Sequence, residues 1–223
     1  MNLQPSQQKR HIKRKRRVKR ALEDLQRNHN HSWYDEIMLR NKENMDKLAI
    51  FYRGKGISYQ EMKAFSIEYA KSLKAMGISK GEEIVACMAN IPEVIYLMLA
   101  ANKIGAIINF VCEDFEPGCL QKNCQASGNK VIFISDNCYG KLKNQINIEE
   151  FEYCVIISLA DSLPRGEDPF QKYHNDFYEF KNAALAIKKD NPDYLLSEGF
   201  LSLGNNYDGE LVEGKINLDT EFT

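Results

Sequence analysis

Residues 81–111, GEEIVACMANIPEVIYLMLAANKIGAIINFV, decide the fold. Ile84 to Ala89 is a short apolar run and reads as a buried strand. Asn90 is placed to offer its side-chain oxygen to the free amides of a new helix. Pro92 falls in the first turn, where its missing N–H costs nothing, and Glu93 complements the positive helix end. From Val94 to Ile104 apolar residues occupy nearly every side, Gly105 can take the left-handed conformation that closes a helix, and Ala106 to Val111 is a second buried strand. The unit is β-α-β, which places two parallel strands side by side through a right-handed crossover. A helix apolar all round predicts cover from other layers, so this is the middle of an α/β domain. A membrane span needs about 20 mostly apolar residues. Asn90, Pro92, Glu93, Asn102, Lys103, Gly105 and Asn109 break the stretch, and a core helix is the better reading.

Working towards the amino terminus, Ser58 and Glu61 form a capping box for a helix with Tyr59, Met62, Phe65, Tyr69, Leu73 and Met76 on one face and Gly77 at its end. That aromatic and methionine stripe is core packing rather than a cofactor site. Leu48 to Tyr52 reads as a strand, Gly54-Lys55-Gly56 as a tight turn and Ile57 with Ser58 as the return. Ser32 and Asp35 form another capping box, for a helix from Trp33 to about Met45 whose inner face is Tyr34, Ile37 and Met38. Before that lies KRHIKRKRRVKR, in which residues 9 to 20 carry nine Lys or Arg, and no acid precedes Glu23. The net charge of −1 therefore hides a body with 21 bases against 31 acids, near −10, behind a strongly basic leader.

Ile12 and Val18 are the leader's only aliphatic residues, so it makes no amphipathic membrane helix. It reads as a solvated electrostatic tail, with anionic lipid or nucleic acid as the partners that Lys9 to Arg20 would attract. In a eukaryote KRKRR would also suit nuclear import. Nothing in the leader resembles a signal peptide, and the chain is expected in the cytoplasm, with membrane association limited to the periphery.

Working towards the carboxyl terminus, the expected order is a helix from Pro117 to Ser127, a strand from Val131 to Ile134, a weaker helix from Asp136 to about Ile146 and a strand from Cys154 to Ser158. Phe170 to Lys189 fits an amphipathic helix or an ordered loop, and Pro192 to Leu203 a last helix before the turn-rich GNNYDGELVEGK. This alternation predicts an α/β fold with a mainly parallel, doubly wound sheet flanked by helices. The expected division is a basic, disordered or partly helical tail over 1–28 and one α/β unit over 29–223.

The chemistry-bearing residues are sparse. The six cysteines at 87, 112, 119, 124, 138 and 154 form no C-x-x-C pair, and the histidines at 11, 29, 31 and 174 lie at no metal-ligand spacing near them. Cys87, Cys112 and Cys154 lie in or beside strands and read as small buried hydrophobes. No G-x-G-x-x-G or G-x-x-x-x-G-K-[ST] occurs. His174 with Asp176 could be a base and its orienter, but an exposed polar pair is favoured.

Three stretches in order carry a resemblance: SWYDEIMLRNKENMDKLAIFYRGKGISYQEM, SLKAMGISKGEEIVACMANIPEVIYLMLAANKIGAIINFV and DFEPGCLQKNCQASGNKVIFISD. With ISYQEM, L-x-x-x-G-[IV]-x-x-G-[DE], N-x-P-E and K-x-G-A at the family's spacing, about residues 30 to 160 resemble the amino-terminal subdomain of AMP-forming acyl-CoA synthetases, the adenylate-forming ligase family. Phe200 to Leu218 resembles the family's approach to its ATP loop. The resemblance implies ATP-dependent activation of a carboxylic or fatty acid through an acyl adenylate to acyl-CoA, with ATP, Mg²⁺ and coenzyme A as cofactors of the full-length enzyme. The family's Ser/Thr/Gly-rich phosphate loop and lysine-bearing lid have no counterpart here, so no catalytic residue, cofactor-binding residue or metal ligand is assigned. Asn90, Pro92 and Glu93 match a family motif, and helix capping accounts for all three. The leading expectation is a truncated amino-terminal ligase fragment, inactive alone. The competitors are a non-catalytic module that pairs with another polypeptide and, last, a nucleic-acid binder driven by the tail.

Overall fold

The computed structural model describes residues 32–112, 130–163 and 174–211. The expected helix over Pro117–Ser127, the basic leader, Cys119 and Cys124 lie outside these residues. The first helix, α1 (Trp33–Arg40), starts on the expected box: the Ser32 hydroxyl accepts from the Asp35 amide at 3.1 Å, and the Asp35 carboxylate accepts back from the Ser32 amide. It stops well short of Met45, because the Asn41 side-chain amide donates to the Ile37 carbonyl at 2.9 Å and caps the helix there.

Strands β1 (Leu48–Tyr52) and β2 (Lys55–Ser58) pair antiparallel. The turn is not at Gly54-Lys55-Gly56. Arg53 and Gly54 form it, both at positive φ (43° and 87°), the two-residue turn whose twist suits a hairpin. Helix α2 (Tyr59–Ala75) begins on the Ser58–Glu61 box and buries Met62, Tyr69 and Leu73, with Tyr59 and Phe65 partly buried against the same core. Gly77, at φ 81°, lets the chain leave it.

The central unit forms as β3 (Glu83–Cys87), α3 (Pro92–Ile104) and β4 (Ile107–Phe110), with Gly105 left-handed at φ 74°. Two expectations fail. The cap residue is Ile91, with no side-chain capping bond, and Asn90 stands exposed one residue early. Nor is α3 covered on every side, since Ile95 and Met98 are each 36% exposed.

Then come β5 (Val131–Ser135), α4 (Asp136–Leu142), β6 (Tyr153–Ile157), α5 (His174–Asp190), β7 (Leu195–Leu196) and α6 (Ser197–Gly204). Helix α4 is shorter than expected, and the last helix begins five residues after Pro192 because Leu195 and Leu196 join the sheet beside β6. All strands of the main sheet run parallel in the order β4-β3-β5-β6-β7. The order reverses between β3 and β5, as in a doubly wound fold. One core, with Leu73, Leu97 and Phe200, lies on one face, and a second, with Val85, Ile132 and Leu142, on the other. Cys87, Cys138 and Cys154 are buried, and burial pushes the Cys154 thiol up to about 12. Cys112 is exposed rather than buried, because β4 ends at Phe110 before the chain reaches it.

Candidate functional site at the carboxyl edge of the sheet

Parallel α/β sheets bind ligands outside the carboxyl ends of their strands, at the point where the strand order reverses. Here that point lies between the ends of β3 and β5. The Ala89 amide donates to the Ser135 hydroxyl across it at 3.0 Å, and that hydroxyl donates in turn to the Asn137 side-chain oxygen at 2.8 Å. Among the described residues, the Ser135 side chain bridges this point.

Beside it the edge carries three acids. Asp136, the first residue after β5, accepts from the Ser158 hydroxyl at 2.9 Å and the Leu159 amide at 3.2 Å. Burial raises its pKa against the lowering effect of those bonds. Asp161 accepts from the Ser158 amide at 2.9 Å and from the Ser197 hydroxyl at the start of α6. Glu93, in the first turn of α3, is 4% exposed, and its Oε1 accepts from the Ser162 hydroxyl. Desolvation pushes it up to about 7, and the Ser162 bond offsets only part of that shift. Glu93 stands in the first helical turn, as the sequence predicts. It lies in the protein interior, facing the loop after β6.

The His174–Asp176 pairing takes another form. Asp176 accepts from the Arg53 guanidinium at 2.9 Å, which ties α5 to the β1–β2 turn. The same guanidinium lies 5.4 Å from the Phe180 ring centroid. The His174 side chain lies outside the described residues.

A second concave feature lies along the partly exposed face of α3. Trp33, Ile37, Ile95, Met98, Ile108 and Phe110 line most of an apolar groove of about 350 Å³ beside β4, the strand at one edge of the sheet. Trp33 is 67% exposed and Phe110 44%. The sequence predicts cover on every side of α3, and the partly exposed Ile95 and Met98 line a groove instead.

Among the described residues no group of three His, Cys, Asp or Glu side chains is placed to hold a metal ion. No described helix is long and apolar enough to cross a membrane.

A family model described as AMP-binding enzyme matches residues 39–196. The acetyl-coenzyme A synthetase of Escherichia coli O6:H1 is 31% identical over 177 residues, 70% of this chain and 27% of that protein. The acetyl-coenzyme A synthetase of Methylobacterium radiotolerans is 36% identical over 97 residues, 41% of this chain and 15% of that protein. The chain thus spans about a quarter or less of these relatives. Among solved structures, coronafacic acid ligase from Pectobacterium brasiliense superposes with a TM-score of 0.62 at 18% identity, over 85% of this chain and 32% of that one. A benzoate CoA ligase from Burkholderia xenovorans LB400 gives 0.51 at 16% identity, over 57% and 25%. At these identities the structural matches speak to the fold.

Proposed function

The chain belongs to the AMP-binding enzyme family, and on that premise we propose that it supplies the amino-terminal α/β portion of an acyl-CoA synthetase and is inactive by itself. The whole enzyme would join a carboxylic or fatty acid to ATP as an acyl adenylate and then to coenzyme A. The observation that carries this reading is the match over residues 39–196 set beside a carboxyl edge stopped by Ser135 and lined with Glu93, Asp136 and Asp161. Adenylation depends on donors and Mg²⁺ aimed at the transferring phosphates, and the described residues offer acids there instead. ATP, Mg²⁺ and coenzyme A would be held by polypeptide outside these residues.

The groove of Trp33, Ile95, Met98 and Phe110 favours a second reading, a non-catalytic module that pairs with another polypeptide. Apolar surface of this kind marks an interaction site. In either case residues 1–28 would act as a separate basic tail, with Lys9 to Arg20 drawn to anionic lipid or nucleic acid.

The deciding experiment is carboxylate-dependent exchange of labelled pyrophosphate into ATP. It is run on the 223-residue chain with acetate, medium-chain fatty and aryl acids. Background rates with every acid are expected. Exchange above background with any of them would mean that this chain holds a working phosphate site, and the inactive-portion reading would be wrong. Exchange that appears on adding the remaining three-quarters of a related acyl-CoA synthetase would support the ligase reading over the non-catalytic one.

A further inference from the structure

Strand β4 closes one end of the main sheet, with β3 as its single neighbour there. The Ile107 amide donates to the Glu82 carbonyl at 2.9 Å and the Val111 amide to the Ala86 carbonyl at 3.0 Å, so residues 107, 109 and 111 turn their backbone groups towards β3. By the alternation of an extended chain, the amides and carbonyls of Ile108 and Phe110 point away from the sheet, and among the described residues nothing pairs with them. The devices that usually protect such an edge are missing. Ile107-Ile108-Asn109-Phe110 carries no charge and no proline, and its register with β3 runs without a bulge.

The same two residues, Ile108 and Phe110, line the apolar groove, so a strand added at this edge would also meet apolar side chains. A second β4 fits that description. Paired antiparallel about a two-fold axis at Asn109, Ile108 of each copy stands opposite Phe110 of the other, and the two pairs exchange four backbone hydrogen bonds. Opposed residues share one face of a sheet, so the two grooves meet, and a β-branched residue against an aromatic one is a favourable cross-strand pair. The area suits a reversible contact. Trp33, Ile95, Met98, Ile107 and Phe110 are all partly or largely exposed. Together they offer roughly 500 Å² per copy, before the strand backbone is added, against about 800 Å² per partner in a standard stable interface.

We propose that a second copy of this chain docks on β4 by antiparallel edge pairing through Ile108 and Phe110, joining two five-stranded sheets into one of ten strands and covering both apolar grooves. The pairing needs no charge on either side. It therefore differs from the other contact two copies could make, the basic leader of one on the acidic body of the next, which would use no part of β4. It rests on the sheet edge and on neither reading of the function. With so small an interface the chain is monomeric in dilute solution, its groove open to small apolar probes, and closes the groove as concentration rises.

Sedimentation equilibrium of the 223-residue chain tests it, from about 1 μM to about 300 μM. The mass should rise from that of one chain towards that of two, with a midpoint on the order of 10 μM, and should do so equally in roughly 0.5 M salt, since no charges are paired. Phe110→Glu and Ile108→Lys, each checked for folding by circular dichroism, should each weaken association at least 10-fold. Mixing these two variants sets one opposite-charge pair across the axis and leaves the other pair as in wild type, so association should return to within a few-fold of the wild-type level. A wild-type chain that stays monomeric throughout would leave the edge to another polypeptide, or to a segment of this chain outside the described residues, and overturns the proposal. So does association that salt abolishes, which would mark the leader on the body, and so does a mixture that stays monomeric. Should Ile108→Lys fail to fold, Phe110→Glu decides alone: undiminished association in that variant means that β4 is not the contact.

Discussion

Gly204 ends α6 against Ser72 of α2 so closely that a Cβ at position 204 would stand 2.6 Å from the Ser72 hydroxyl oxygen and 2.8 Å from its backbone nitrogen. The Ser72 hydroxyl is itself engaged, donating to the Glu68 carbonyl at 3.0 Å. A methyl group therefore meets backbone, which cannot swing aside as a side chain could. Gly204→Ala should destabilise the chain by about 1–3 kcal/mol through overpacking, even though alanine has the better helix propensity. Urea unfolding checks this. A variant as stable as wild type would mean that α6 can slide on α2.

Stability should fall as pH rises from about 5 to 8. Burial holds the Glu93 pKa at about 7 in the folded chain against 4.5 when unfolded, and it raises Asp136 in the same direction. A raised folded-state pKa gives stability that is fully present below the unfolded pKa and lost as pH passes the folded one. For Glu93 the difference is on the order of 3 kcal/mol. Urea midpoints should drop across this window in wild type and much less in Glu93→Gln. Parallel slopes would show that Glu93 ionises freely in the native state.

The groove beside β4 should take up an apolar probe. A hydrophobic dye should fluoresce with the folded chain, and Ile95→Glu combined with Met98→Glu should cut the signal severalfold while leaving the melting temperature within a few degrees, since both side chains are partly exposed. Undiminished dye binding in that double variant would place the apolar surface elsewhere.

Deleting residues 9–20 removes nine basic residues and no acid. Thermal unfolding should stay nearly unchanged, while retention on heparin or anionic vesicles, and its steep dependence on salt, should disappear. Loss of the fold on deletion would mean that the leader packs on the body.

The features legible in the sequence were those fixed within a few residues. The Ser32 and Ser58 boxes need only a hydroxyl and an acid three positions on, and Gly105 needs only to follow the last helical turn. The parallel sheet was legible because buried apolar runs alternate with helical patterns. Asn90 was misread because the path of the backbone, and not the side chain's capping ability, decides which residue stands at the helix mouth. Ile91 takes that place with extended angles of −123° and 160°. Glu93 could not be placed at all, since its environment depends on Ser162, far along the chain. The groove was hidden for the opposite reason: an apolar residue looks the same in sequence whether or not another layer arrives to cover it.

The reversal of strand order also constrains the birth of the protein. Strand β3 pairs with β4 through Glu83 and Ile107, but its other edge waits for β5, where Val85 meets Ile132. A chain emerging from the ribosome would complete the β3-α3-β4 crossover first, with β3 bare along one edge and Val85 and Cys87 open to solvent until some twenty further residues had been made. Parallel pairing over such separations is slow, and transient edges of this kind are what chaperones attend to. A pause in translation between the codons for Phe110 and Val131 should therefore depress the soluble yield more than an equal pause after Ile157, when β3 and β5 have both neighbours.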